Sequence, residues 1–159
     1  MGLDVVVYCD CFEQNHLQSP PKPEWLPRIG KDGSRESGAT EIDLVLAFDE
    51  WSFYHACEHE NGILLHHYLG NIATIGKLNI LLEEYKIQLP VLLEKVLYSG
   101  THCGDFLAVE KIYQLKHEID FLSTVHAENL HDEQILRYFE QQMKEVIECA
   151  LSVKKPICF

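Results

Sequence analysis

Between Glu36 and Gly76 the chain has no lysine and no arginine. The same stretch carries Glu36, Glu41, Asp43, Asp49, Glu50, Glu58 and Glu60, and the whole chain has a formal net charge of -12. Affinity for a nucleic-acid backbone needs clustered basic side chains to displace counterions, so nucleic acid is excluded as an expected partner. A field of this sign attracts cations, whether metal ions or a basic protein. Long apolar runs are also lacking. Crossing a bilayer takes about 20 apolar residues, and the longest candidate, Ile42 to Phe48, is short and broken by charge. The N-terminus MGLDVVVYCDCF has an acid where an export signal would carry Lys or Arg, and no small-residue cleavage site follows. Residue 6 is Val6 rather than the Ser or Thr of a myristoylation signal, and the ending PICF misplaces its cysteine for prenylation. A cytoplasmic protein that does not span the membrane is the expectation.

The familiar catalytic signatures are missing as well. There is no Gly-Lys-Ser/Thr phosphate loop, no Gly-x-Ser-x-Gly elbow, no His-Glu-x-x-His and no pair of Cys-x-x-Cys knuckles. Asp10 closes an apolar strand as a haloacid-dehalogenase-type nucleophile would, but the second aspartate of that chemistry is replaced by Phe12.

What is present is a chain of 159 residues, 47% hydrophobic and 24% charged, which suits a folded domain able to bury a core without staples. The expectation is a single α+β domain over 1–159, its small sheet containing the N-terminal strand and covered by about four helices. Leu3 to Phe12 is β-branched and apolar and reads as a central strand buried on both faces. Its alternation puts Val5, Val7, Cys9 and Cys11 on one side. Residues 13–39 hold four prolines and three glycines and read mostly as loop, with Asp32-Gly33 able to turn a short hairpin. Thr40-Glu-Ile-Asp43 starts a helix that the pattern carries over 41–60, until Asn61-Gly62 stops it. Ile63 to His67 reads as extended, 71–85 as a second helix, and Val91 to Tyr98 as a strand or helical turn. Asp105 is expected to cap a third helix through Phe106 and Leu115. From Asp132 to about Val153, Ile135, Leu136, Phe139, Met143, Val146, Ile147 and Ala150 recur at helical spacing, and Pro156 ends that fourth helix before a short edge strand at Ile157 to Phe159.

Imidazoles are concentrated in His55-Ala-Cys-Glu-His-Glu-Asn-Gly-Ile-Leu-Leu-His-His67. On a helix, His55 and His59 lie one above the other on one face, a spacing that lets two imidazoles share a zinc, iron or manganese ion. A reversal at Asn61-Gly62 would bring His66 or His67 back as a third ligand, with Glu58 or Glu60 as general base for a metal-bound water. Cys57 would sit about 160° around such a helix from that edge and is not expected to join the ion. The alternative is a pair of solvated imidazoles near a helix C-terminus, where the dipole favours protonation. The six cysteines, with no export signal, are expected to be reduced. Cys9 and Cys11 share a strand face whose end His102-Cys103 can approach, and these thiols, with Cys57 and Cys103, are expected to pack as small hydrophobes.

At MGLDVVVYCDCFE, ACEHENGILLHHYLGNI and LLEKVLYSGTHCGDFL the chain resembles a family of bacterial cytoplasmic proteins of uncharacterised activity, over most of its length. The second half, Leu89-Pro-Val-Leu-Leu through Leu97-Tyr-Ser-Gly, then helices bearing Leu115, Ile119, Phe139 and Ala150, is similar in pattern to immunity proteins of bacterial polymorphic toxin systems. That resemblance implies a non-enzymatic protein whose acidic surface docks a basic, toxin-like protein. Asp49, Glu50, Glu58 and Glu60 would supply the charge, and Trp51 or Trp25 an exposed aromatic anchor.

Overall fold

The computed structural model describes residues 2–98, 102 and 104–159. It is an α+β fold built on a four-stranded antiparallel sheet. Strand β1, Gly2–Tyr8, lies between β4, Ile63–Asn71, and the C-terminal β6, Ile157–Cys158, while β5, Phe106–Leu107, forms the far edge beyond β6. The expected edge strand at the C-terminus is therefore an inner strand. Phe106, expected on a helix capped by Asp105, pairs instead with Cys158, and the third helix starts only at Val109. The remaining turn residues Ser99, Gly100, Thr101 and Cys103, and with them the expected approach of Cys103 to the first strand, lie outside the described residues.

One face of β1 is packed hard: Leu3, Val5 and Val7 are buried beneath the main core. The opposite face, with Asp4 exposed and Val6 and Tyr8 half-buried, is only partly covered, so the expectation of two buried faces holds for one. The β1–β4 ladder pairs Val5 with His67, Val6 with His66 and Tyr8 with Ile63.

Three helices close the main core. Helix α2, Ile72–Leu82, is capped by the Asn71 side chain, which accepts from the Thr74 N–H at 2.9 Å. Helix α3, Val109–Phe121, buries Ile112, Leu115 and Ile119. Helix α4, Leu130–Val153, begins with the Asn129 side chain accepting from the Asp132 N–H and ends on Lys154 in the left-handed region before Pro156. Its buried apolar residues are those at helical spacing, Leu136, Phe139, Met143, Val146, Ile147 and Ala150, with Ile135 half-buried and Glu140 buried beside them, and it lies across β1 and β4 and against α3. Between α2 and α3 a π-helical turn, Leu92–Val96, buries Leu92, Leu93 and Val96. Among the described residues no helix is long and apolar enough to cross a membrane.

A second, smaller cluster stands apart from this core. Helix α1, Ile42–Tyr54, packs Phe48 and Trp51 against Trp25 and Ala56, with ring centroids 5.4 to 6.2 Å apart. The expected hairpin is present beside it, β2 at Pro27–Ile29 and β3 at Arg35–Ser37. Buried Lys155 ties this region to the C-terminus, donating to the Gly33 carbonyl at 3.0 Å and pairing with the Glu13 carboxylate. Trp51, expected as an exposed partner anchor, is 4% exposed, and Trp25 is 5% exposed; both are core residues of the small cluster.

Candidate metal centre

The expected helix over 41–60 ends at Tyr54, so His55, Cys57 and His59 are not on it. Arg35 on β3 donates from Nη2 to the Ser52 carbonyl at 2.9 Å, supplying a partner to one of the carbonyls that a helix C-terminus leaves free. From His55 the chain leaves the helix, buries Ala56 and Cys57, and reaches Asn61 and Gly62, whose φ values of +49° and +70° turn it into β4. The β1–β4 ladder then brings the ends of the two segments together, since the Cys9 N–H donates to the Gly62 carbonyl at 2.7 Å. Residues 57–59 are thereby laid beside residues 9–11.

Four donor atoms converge there. Cys9, Cys11 and Cys57 sulfurs and the His59 ring nitrogen all lie within 4.8 Å of one another. The Cys9 and Cys57 sulfurs are 3.8 Å apart, Cys11 Sγ is 3.4 Å from His59 Nδ1, and Cys57 Sγ is 3.9 Å from the same nitrogen. Metal–sulfur bonds of about 2.3 Å and metal–nitrogen bonds of about 2.0 Å, arranged tetrahedrally, space their ligands about 3.8 Å sulfur to sulfur and about 3.5 Å sulfur to nitrogen. Three of the six edges, at 3.8, 3.4 and 3.9 Å, lie close to those of a tetrahedral Cys3His site and the others are within 4.8 Å, so the cluster is compatible with a bound metal ion.

The electrostatics around it are those of crowded thiols with one cation at hand. Burial pushes the Cys9 thiol up. Burial, together with the neighbouring Cys9 and Cys57 sulfurs, pushes Cys11 up to about 12. Burial also raises Cys57, but a backbone hydrogen bond at His59 and the Arg35 guanidinium outweigh it and hold this thiol below its ordinary value. Arg35 Nη1 lies 3.5 Å from Cys57 Sγ, and its guanidinium sits over the Trp51 ring at 5.8 Å. Three sulfurs this close resist ionising together unless a cation sits among them, and a coordinated metal deprotonates its thiols outright.

Of the four histidines expected to hold a metal, His59 alone is in the cluster. His55 is exposed at the end of α1, its N–H bonded to the Trp51 carbonyl. His66 and His67 sit on β4, where His66 Nε2 meets Asp4 at 2.9 Å and His67 Nε2 meets Glu145 at 3.0 Å. Cys57 joins the cluster, against expectation, because residues 55–59 are not helical and the 160° separation does not arise. Glu58 and Glu60 are exposed. Asp49 and Glu50 lie on the outer side of α1, also exposed. The missed ligands did carry a signal: Cys9-x-Cys11 and Cys57-x-His59 are two pairs of the same i, i+2 form, although β1 ends at Tyr8 rather than at the expected Phe12 and neither pair lies on a strand. The second pair is not a cysteine pair, because one of its members is a histidine. No protein-family model, curated protein or solved structure matches the chain.

Proposed function

We propose that this is a zinc-binding protein whose Cys9, Cys11, Cys57 and His59 form a closed structural centre. The carrying observation is the convergence of the four donor atoms within 4.8 Å, three of their separations being close to tetrahedral edge lengths. Three thiolates favour zinc or iron over manganese, which prefers carboxylate oxygens. Four protein donors complete a tetrahedron and leave no position for a water, which is the pattern of structural rather than hydrolytic zinc sites. The zinc would clamp the end of β1 to the segment that follows α1, and so hold the small cluster of Trp25, Phe48 and Trp51 in place. Arg35 would offset the net negative charge that three thiolates leave around a dication.

The test is the elemental content of untagged protein by mass spectrometry, with variants measured in parallel. One equivalent of zinc is expected, lost in Cys57→Ser and in His59→Ala and kept in the His55→Ala/His66→Ala/His67→Ala triple variant. Protein that retains no metal after incubation with zinc and desalting overturns the proposal. So does zinc that survives loss of Cys57 and His59 but not loss of the other three histidines.

A further inference from the structure

Helix α1 is apolar on two sides, and the fold covers one of them. Phe48 and Trp51 point into the small cluster, while Ile42 is 73% and Leu46 60% exposed. At about 100° per residue, Ile42, Leu46 and half-buried Phe53 fall on one stripe of the opposite face. Asp49 lies on that stripe, and Asp43 and Glu50 run alongside it, all three exposed. Among the described residues none of these three acids has an ion-pair partner. A helix face that combines exposed apolar residues with uncompensated charge of one sign is the counterpart of an amphipathic segment of the other sign.

From this we infer that the outer face of α1 docks a basic amphipathic helix of a protein partner. Its apolar side covers Ile42, Leu46 and Phe53, and its Lys or Arg side chains meet Asp43, Asp49 and Glu50. Charge selects this occupant. A second copy of the chain would bring the same three acids against one another in a molecule already at -12, and an anionic membrane surface is repelled for the same reason. The chain itself offers no cation between Glu36 and Gly76. The inference does not depend on the metal centre.

The probe is a fluorescent peptide of leucine and lysine patterned as an amphipathic helix, compared with a scrambled peptide of the same composition, by anisotropy with the full chain. The patterned peptide is expected to bind at least about tenfold more tightly than the scrambled one, and to weaken as salt is raised. Ile42→Ser/Leu46→Ser and Asp49→Asn/Glu50→Gln should each abolish that preference. Ile80→Ser/Ile87→Ser, a control at two still more exposed apolar residues elsewhere, should keep it. Circular dichroism confirms that each variant is folded. Equal affinity for both peptides, or equal loss in the control variant, overturns the inference. Binding of phosphatidylcholine vesicles through Ile42 and Leu46, with no preference between peptides, also overturns it and assigns the stripe to a membrane.

Discussion

Removing zinc should loosen the small cluster before it loosens the main core, by an amount that follows from the connectivity of the centre. Cys9 and Cys57, like Cys11 and His59, are 48 residues apart. A cross-link closing a loop of that length removes about 13 to 14 cal/mol/K from the unfolded chain in the chain-entropy treatment of disulfides, or about 4 kcal/mol at 25 °C. Zinc is a weaker link than a disulfide and gains additionally from ligand bonds, so about 4 kcal/mol serves as the scale of the clamp rather than its total. In a chain of this size that corresponds to a melting shift of roughly 8 to 16 °C. The protein carries its own reporter, because both of its tryptophans, Trp25 and Trp51, lie in the small cluster, whereas most of the helical signal comes from α2, α3 and α4. Thermal melts followed by tryptophan fluorescence and by far-ultraviolet circular dichroism, with and without a chelator, separate the two regions. Chelation should lower the fluorescence midpoint by an amount on that scale and the circular-dichroism midpoint by less, and should change neither in Cys9→Ser/Cys57→Ser. A fluorescence midpoint indifferent to chelator in protein shown to hold zinc would refute the reasoning, since the clamp would then contribute nothing to the cluster it closes.

Two further outcomes follow from buried and paired carboxylates. Glu118 is 4% exposed and accepts from the Val91 and Leu92 N–H groups at 3.1 and 2.7 Å, supplying partners at the start of the π-helical turn. Glu118→Ala strands two buried donors and should cost about 3 kcal/mol in urea unfolding, whereas a cost within the range of surface substitutions would contradict this role. At the start of α4, hydrogen bonds from Lys77 and Asn129 hold Asp132 below the usual carboxylate range, and the Ala127 N–H and Arg137 hold Glu133 below it. Lowered folded-state values contribute stability that is fully present above the ordinary carboxylate pKa of about 4 and is lost as pH falls through the lowered values. Urea midpoints should therefore decline on acidification below about pH 4, less steeply in Asp132→Asn/Glu133→Gln; an unchanged slope in that variant would remove these two groups as the cause.

Several elements are written locally and could be read from order alone. The spacing from Leu136 to Ala150 specifies α4, because a helix repeats every 3.6 residues whatever surrounds it, and Pro156 cannot continue one. The β-branched run at Val5 to Val7 specifies β1, and Asp32-Gly33 the hairpin turn, for similarly short-range reasons. The block without lysine or arginine fixes the sign of the field over α1. Tertiary structure decided the rest. The helical pattern continues past Tyr54 in sequence, yet the helix stops there, where Arg35 on β3 takes the Ser52 carbonyl and the β1–β4 ladder draws residues 57–59 toward residues 9–11. That rerouting removed the helical geometry which paired His55 with His59, and put Cys57 where an angle drawn on a helix had excluded it. Phe106–Leu107 is a strand only because Ile157–Cys158 offers an edge to pair with. Trp51 is buried because Trp25, distant in sequence, closes over it beside Phe48 of its own helix. The composition of the candidate centre was visible in two short pairs, but its assembly depends on contacts 48 residues apart, which local propensity does not encode.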